Sequence, residues 1–176
     1  NHKTAKRADT DKWNLGALSN LVKECIAGYE DFNFFVPSNK IREFVCNIFA
    51  DHYIEMVKKR AYGEGFSKEE QQSAQYTLHL VLSAILKLLA PLTPFITDHI
   101  WRELYGKKSI HMEQFPGSEW DDNLSKLTKQ LLEFNSKIWN EKKYLKLSLK
   151  DQTEMKIPKE LELFEKDLTA MHNIKL

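Results

Sequence analysis

Between residues 41 and 57 the chain places Ile41, Phe44, Val45, Ile48, Phe49, His52, Tyr53, Met56 and Val57 at spacings of i, i+3 and i+4. A β-strand cannot use that spacing, because its side chains change face at every residue. A helix can, and neither glycine nor proline interrupts residues 38–61, so a helix with one apolar face is predicted there. Such a face is stable only against partners of the same kind. Trp13, Ala17, Leu21, Cys25 and Tyr29 step by four and predict a first helix over 10–30, with Asp9, Thr10 or Asp11 as its cap. Ser67 followed by Glu70 is a capping box that opens a third helix running to about Ala90.

Pro91 and Pro94 then fall in the most apolar part of the chain. A proline inside a helix costs about 3 kcal/mol, which argues against one continuous rod. Pro91 disfavours helical geometry at Ala90, and Pro94 fits the first position of a new helix capped by Thr93. The stretch therefore predicts a helix end, a tight bend and a fourth helix with Ile96, Ile100 and Leu104 as its stripe. Extended chain follows at 109–116. Asp121 or Asp122 starts a fifth helix, on which Leu124, Leu127, Leu131, Phe134 and Ile138 keep helical spacing. Beyond it, "TEMKI" and "AMHNIKL" alternate like strands around a short helix that begins at Pro158. The fold class expected is mainly α: an antiparallel helical bundle with a small mixed α/β C-terminal tail. Residues 1–8 form a polar lead-in, 9–120 the bundle and 121–176 an extension.

Composition removes several function classes. With 42% hydrophobic residues the chain can bury a core, and a net charge of +1 names no partner. No apolar run reaches the roughly 18–20 residues of a membrane span, and the polar start does not resemble a signal peptide. A piece of a longer cytosolic protein is expected, with no membrane partner. Cys25 and Cys46 both fall on apolar stripes, which favours reduced core thiols over a disulfide. The six histidines lack a partner at i+4 or a Cys pair, so no metal site is predicted, and His52 on its apolar stripe reads as a hydrogen-bonded core residue. Glu69–Glu70 and Asp121–Asp122 sit at helix starts, where acids offset the macrodipole. No catalytic set emerges.

The basic clusters carry more. Lys58, Lys59 and Arg60 close the second helix, residues 137–150 hold lysines interleaved with Trp139 and Tyr144, and Lys12 and Lys23 lie on the polar side of the first helix. Solvated helix faces look the same. The turn "DFNFF" adds Phe32, Phe34 and Phe35, which either plug the core or stack on single-stranded RNA bases.

The segments "DTDKWNLGALSNLVKE", "YEDFNF", "KIREFVCNIFADHYIEMVKKR", "LLAPLTPFITDHIWREL" and "SIHMEQFPGSEW", in that order, resemble the helical anticodon-binding region of class I aminoacyl-tRNA synthetases, the subgroup for valine, isoleucine and leucine. Asp51, Tyr53, Ile54, Glu55 and Lys58 match that group's "D-x-Y-I-E-x-x-K" helix; Leu89, Pro91, Pro94, Phe95, Ile96 and Trp101 match its proline bend. Residues 121–176 look like the short extension of archaeal-type valyl enzymes. Isoleucyl enzymes typically continue with zinc-binding cysteines, which this chain lacks. The sequence departs from the group at Pro37 and at Trp139, where an arginine is common. The resemblance implies a tRNA partner bound through its anticodon stem-loop, a monomer, and a catalytic core in cis that carries the "HIGH" and "KMSKS" signatures and uses ATP and magnesium; no cofactor is expected in this chain. "KLSLK" at 146–150 is a chance likeness to the second signature.

The expected tRNA contacts are Lys12, Lys23, Lys58, Lys59 and Arg60 on phosphates, Lys142 and Lys143 as a second basic edge, Asn20 and Asn33 at base edges, and Phe34 as a stacking platform. The alternatives are the same region of an isoleucyl enzyme, or a helical protein-interaction domain that binds no RNA.

Overall fold

A computed structural model describes residues 7–175. Of the predicted lead-in, residues 1–6 lie outside the described residues. Helix α1 spans Asp9–Glu30. Helix α2 (Phe35–Glu43) continues through a π-helical segment (Phe44–Ile54) into α3 (Glu55–Tyr62), forming one rod. Helices α4 (Lys68–Leu89) and α5 (Pro94–Leu104) meet at the proline bend, and α6 (Thr128–Tyr144) and α7 (Glu165–His172) follow.

The rod explains the sequence that predicted it. Its apolar pairs recur every four residues, 44/45, 48/49, 52/53 and 56/57. In an α-helix at 100° per residue, each four-residue step drifts by about 40°. The wider π turn makes each four-residue step fall short of a full revolution, which offsets the drift of the α-helical turns on either side, and Phe44, Phe49, His52, Tyr53, Met56 and Val57 are all buried.

Helices α1 and the rod run antiparallel. At one end Gly28 lies under Pro37, where a Cβ on the glycine would come within 2.7 Å of the proline ring. At the other, Arg60 meets Asp11. Helix α4 runs alongside α1, with Ser73 on Asp11 and Tyr29 on the Leu88 carbonyl. Helix α6 closes the rod's remaining face, and Leu161, Phe164, Leu168 and Ile174 from the tail join the same core as Trp13, Leu18, Val81 and Leu88.

Several local expectations hold. The Ser67–Glu70 capping box is formed, α4 ends at the bend, and Pro94 opens α5. Others need correction. The cap position of α1 is Ala8, with no side-chain hydrogen bond, because Asp9, Thr10 and Asp11 are already helical. On α5 the buried residues are Thr97 and Trp101; of the expected stripe Ile100 packs partly buried beside Trp101, while Ile96 and Leu104 are each 54% exposed and face outward. A 3-10 turn, Ile110–Met112, interrupts the extended chain, held by Asp98. Cys25 is buried but Cys46 is exposed, on the outer side of the rod. The α/β tail is not found: among the described residues it holds a 3-10 turn (Lys159–Phe164), α7 and one isolated parallel bridge, Thr153–Ile174. The second alternating segment begins inside α7, which ends at His172, so too few extended residues remain to pair further.

Candidate nucleic-acid interface

The rod separates the expected contacts into two groups. At about 1.5 Å per residue, 35 to 62 spans roughly 40 Å. Asn33 and Phe34 stand at one end. Lys58, Lys59, Arg60, Lys142 and Lys143 stand at the other, together with Lys12 from the start of α1. Asn20 and Lys23 lie between. The single surface that would join the aromatic turn to the end of the second helix is not formed, because antiparallel packing puts those two features at opposite ends.

At the basic end, two expected cations are internal. Arg60 is buried: Nη2 and Nη1 donate to Asp11 Oδ1 and Oδ2 at 2.6 and 2.9 Å, and Nε to Asp167 Oδ1 at 3.0 Å. Tyr53 and Ser73 hydroxyls complete the Asp11 shell at 2.7 and 2.6 Å. Burial opposes the guanidinium charge, but the Asp11 hydrogen bonds and then the Asp167 charge hold its pKa above the ordinary value. Burial pushes Asp167 upward, with Arg60 opposing. Lys142 is likewise enclosed, and its Nζ donates to the carbonyls of Leu149, Asp151 and His172 at 2.8, 2.7 and 2.7 Å. Helical position alone made both look like surface charges. Neither is free for a phosphate.

The remaining cations are accessible to different degrees. Lys12 pairs with Asp9 and Lys58 with Glu55, both on the same helix and both exposed. Lys23 lies 3.9 Å from Asp122. Such pairs contribute about 0–1 kcal/mol and can be exchanged for a phosphate. Lys143 is exposed. Lys59 is half-buried and donates to Asn173 Oδ1 at 2.7 Å, which ties α3 to the end of the tail. Asn20 Nδ2 donates to Ser125 Oγ at 3.2 Å, so this amide serves the turn that crosses α1.

Behind the basic end lies a buried polar chain. His172 Nε2 donates to Asn135 Oδ1 at 2.8 Å, and Asn135 Nδ2 donates to His52 Nδ1 at 3.0 Å. The reading of His52 as a hydrogen-bonded core histidine is thereby met. Burial, with the neighbouring Lys142 and His52, lowers the pKa of His172 to about 4. Burial also lowers that of His52, against Asp51.

The aromatic end is open. Phe32, Phe34 and Phe35 are 84%, 46% and 77% exposed, so the turn does not plug the core. α1 terminates in paired bonds from Asn33 N–H to the Gly28 carbonyl and from Phe32 N–H to the Tyr29 carbonyl. This arrangement requires a left-handed residue, usually glycine, and Phe32 fills it at φ 54°. Asn33 Oδ1 accepts from the Val36 N–H at 3.3 Å and starts α2. Tyr29 forms the floor, its hydroxyl donating to the Leu88 carbonyl at 2.7 Å. Leu92 and Thr93 N–H both turn to Leu89, which leaves the Leu88 carbonyl to the tyrosine. Phe34 and Phe115 stand edge-on to that ring, at centroid distances of 5.6 and 5.8 Å. These rings, with Ile26, Glu30, Phe32 and Pro91, enclose a cleft of about 430 Å³.

Sequence reasoning singled out Phe34 but missed Tyr29, Glu30, Pro91 and Phe115. Phe115 comes from irregular chain, and Pro91 read only as a helix breaker. The available signal was a phenylalanine where a helix end calls for glycine.

Residues 11–162 match the family described as the anticodon-binding domain of tRNA ligase. Across 95% of its length the chain is 40% identical to a valine–tRNA ligase of Pyrobaculum aerophilum, of which it covers 22%. It is 34% identical over 95% of its length to that of Aeropyrum pernix, covering 21%, and 36% identical over 94% to that of Nanoarchaeum equitans, covering 21%. The chain thus spans about a fifth of the length of these curated relatives.

Proposed function

Because this chain belongs to the anticodon-binding domain family of tRNA ligases, we propose that it is the anticodon-binding part of a valine–tRNA ligase. In this reading it grips the anticodon stem-loop of tRNA(Val), while a catalytic core elsewhere in the longer protein joins valine to the 3′ end. ATP and magnesium enter only as ligands of that core. The valine assignment is supported by the names of the relatives and by their match through the C-terminal extension.

The observation that carries the proposal is the aromatic end. Phe32, Phe34 and Phe115 line an open cleft and are each exposed, losing apolar burial, a cost that base stacking offsets by roughly 1–3 kcal/mol per base. Lys23, midway along α1, and Lys12, Lys58 and Lys143 at the far end can follow the RNA backbone away from the loop. The test is tRNA(Val) binding at several salt concentrations. Phe34→Ala lowers affinity and leaves the salt slope unchanged. Lys23→Ala with Lys58→Ala flattens it by about 0.7–0.9 for each phosphate no longer neutralised. Absence of any binding at low salt refutes the proposal, and equal affinity for tRNA(Ile) refutes the valine assignment.

A further inference from the structure

We propose that the loop after α6, residues 144–150, is a surface through which this chain docks against the remainder of its own longer protein, seating four exposed apolar side chains in a recess edged by carboxylates. The inference rests on the anticodon-binding reading, which places this chain in a longer protein, and adds where the two parts meet.

The loop presents its apolar groups to solvent. Tyr144, Leu145, Leu147 and Leu149 are between 40% and 86% exposed. One exposed leucine is ordinary, but four large apolar side chains within six residues form a patch of the kind that marks an interface. A loose backbone does not explain them. The Lys146 and Leu147 N–H groups donate to the Lys143 and Lys142 carbonyls at 3.1 and 2.8 Å. The Ser148 N–H donates to Asp151 Oδ2 at 2.6 Å. The Leu149 carbonyl accepts from the buried Lys142 Nζ, and the Lys150 carbonyl accepts from Asn173 Nδ2 at 2.5 Å. Lys146 takes the left-handed region at φ 56°, a conformation that glycine adopts without strain and lysine does not. The chain therefore fixes this loop in one strained form while leaving its leucines unburied. A surface held ready in that way loses little freedom when a partner covers it.

Charge and position select the occupant. Lys146 and Lys150 are exposed, and neither pairs with an acid among the described residues. The carboxylate of Asp151 is engaged by the Ser148 N–H. Leucines interleaved with free ammonium groups are complementary to an apolar recess with acidic edges. RNA is a poorer match, because phosphates would satisfy the lysines and offer nothing to the leucines. This chain spans about a fifth of its curated relatives, so most of such a protein lies outside it and is available to cover the loop. The described residues begin at the same end of the rod. Arg7 lies over the Tyr76 ring in α4, Asp11 meets Arg60, Lys59 bonds Asn173, and Asn173 bonds Lys150. A segment preceding Arg7 is thus delivered to the end that carries the loop, roughly 40 Å along the rod from the aromatic cleft. Docking there leaves the cleft open to RNA.

The experiment uses the full-length protein without tRNA and reads acetylation of individual lysines by a succinimidyl ester, located by peptide mass spectrometry. Lys129, its side chain 85% exposed at the start of α6, is the reference. In the wild type Lys146 and Lys150 react at least fivefold more slowly than Lys129. Leu145→Ser combined with Leu149→Ser removes two apolar anchors without placing a charge beside the lysines. It brings both lysines to within about twofold of Lys129, with an unchanged circular dichroism spectrum. Equal labelling of the three lysines in the wild type, or slow labelling that survives both substitutions, overturns the inference. Slowing that appears only after tRNA is added also overturns it, by giving the loop to RNA. Charging of tRNA(Val) with valine by the same preparation tests the underlying reading separately. Charging with equal labelling removes only the docking surface, and absence of charging removes the reading and the inference together.

Discussion

Lys142→Met is the sharpest test of how the tail is held. The Lys142 ammonium gathers carbonyls from three places: Leu149, Asp151 and the end of α7 at His172. A hydrogen bond to a charged group contributes about 1.5–3 kcal/mol net, and three stranded carbonyls add their own desolvation cost. Against this stands the cost of burying the ammonium, which lowers the pKa of Lys142. Methionine keeps the length and the apolar stem but offers no donor, so the variant loses about 2–5 kcal/mol, the part of the three stranded carbonyls' cost that relief from burying the ammonium does not offset. The loss is local first. Amide exchange quickens at Leu147, whose N–H bonds the Lys142 carbonyl, and at Lys175, whose N–H bonds Thr153. Urea denaturation followed by circular dichroism gives the global cost, and hydrogen exchange gives its location. Stability within about 1 kcal/mol of wild type, with unchanged protection at those two amides, would refute the reasoning.

Three further outcomes are expected. Arg60→Ala leaves Asp167 without its buried partner and costs about 3–5 kcal/mol in denaturant. The salt dependence of tRNA binding by the folded variant stays at the wild-type slope, and a flatter slope would return Arg60 to the interface. Acid destabilises the fold through His172: the unfolded chain takes up this proton near 6.5 and the folded chain near 4, so stability is full above about pH 6.5 and declines as the pH falls to about 4. The loss is about 3 kcal/mol. Asp167, pushed upward by burial, works in the opposite direction, so the comparison is with His172→Gln, whose stability declines less over that interval; identical pH curves would exclude His172 as the cause. Phe32→Gly relaxes the left-handed turn and raises stability by about 1 kcal/mol in thermal melts, while tRNA affinity falls. A drop in melting temperature would show that the exposed ring stabilises the turn.

The helices were legible because burial of one face imposes periodicity, and Ile41 through Val57 or Ala74 through Leu88 carry it without interruption. The capping box and the Pro94 start were legible because they are local chemistry. What failed is what depends on neighbours distant in sequence. Arg60 and Lys142 have the spacing of solvated helix ends, and only Asp11, Asp167 and the carbonyls of a folded-back tail make them internal. The outward face of α5 could not be read from its own stripe, since Ile96 and Leu104 are as apolar as any core pair. At the aromatic end, Phe34 was legible as an aromatic in a turn, but the cleft exists only once Pro91 and Phe115 arrive from elsewhere.

The π-helical segment makes the rod unusually intolerant of insertion and deletion. Eleven residues with i to i+5 bonding turn roughly 15–20° less per residue than α-helix does, and together lag by about half a revolution. Shortening Phe44–Ile54 by one residue, so that the stretch reverts to α-helix, would leave both ends helical and every propensity intact. It would still swing Met56, Val57 and Arg60 out of the core and put Glu55 and Lys58 toward it. Substitution can be absorbed position by position along this rod; the loss or gain of a single residue cannot. Length variation among related chains should therefore accumulate in the loops at 63–66 and 105–122 and leave residues 35–62 at constant length.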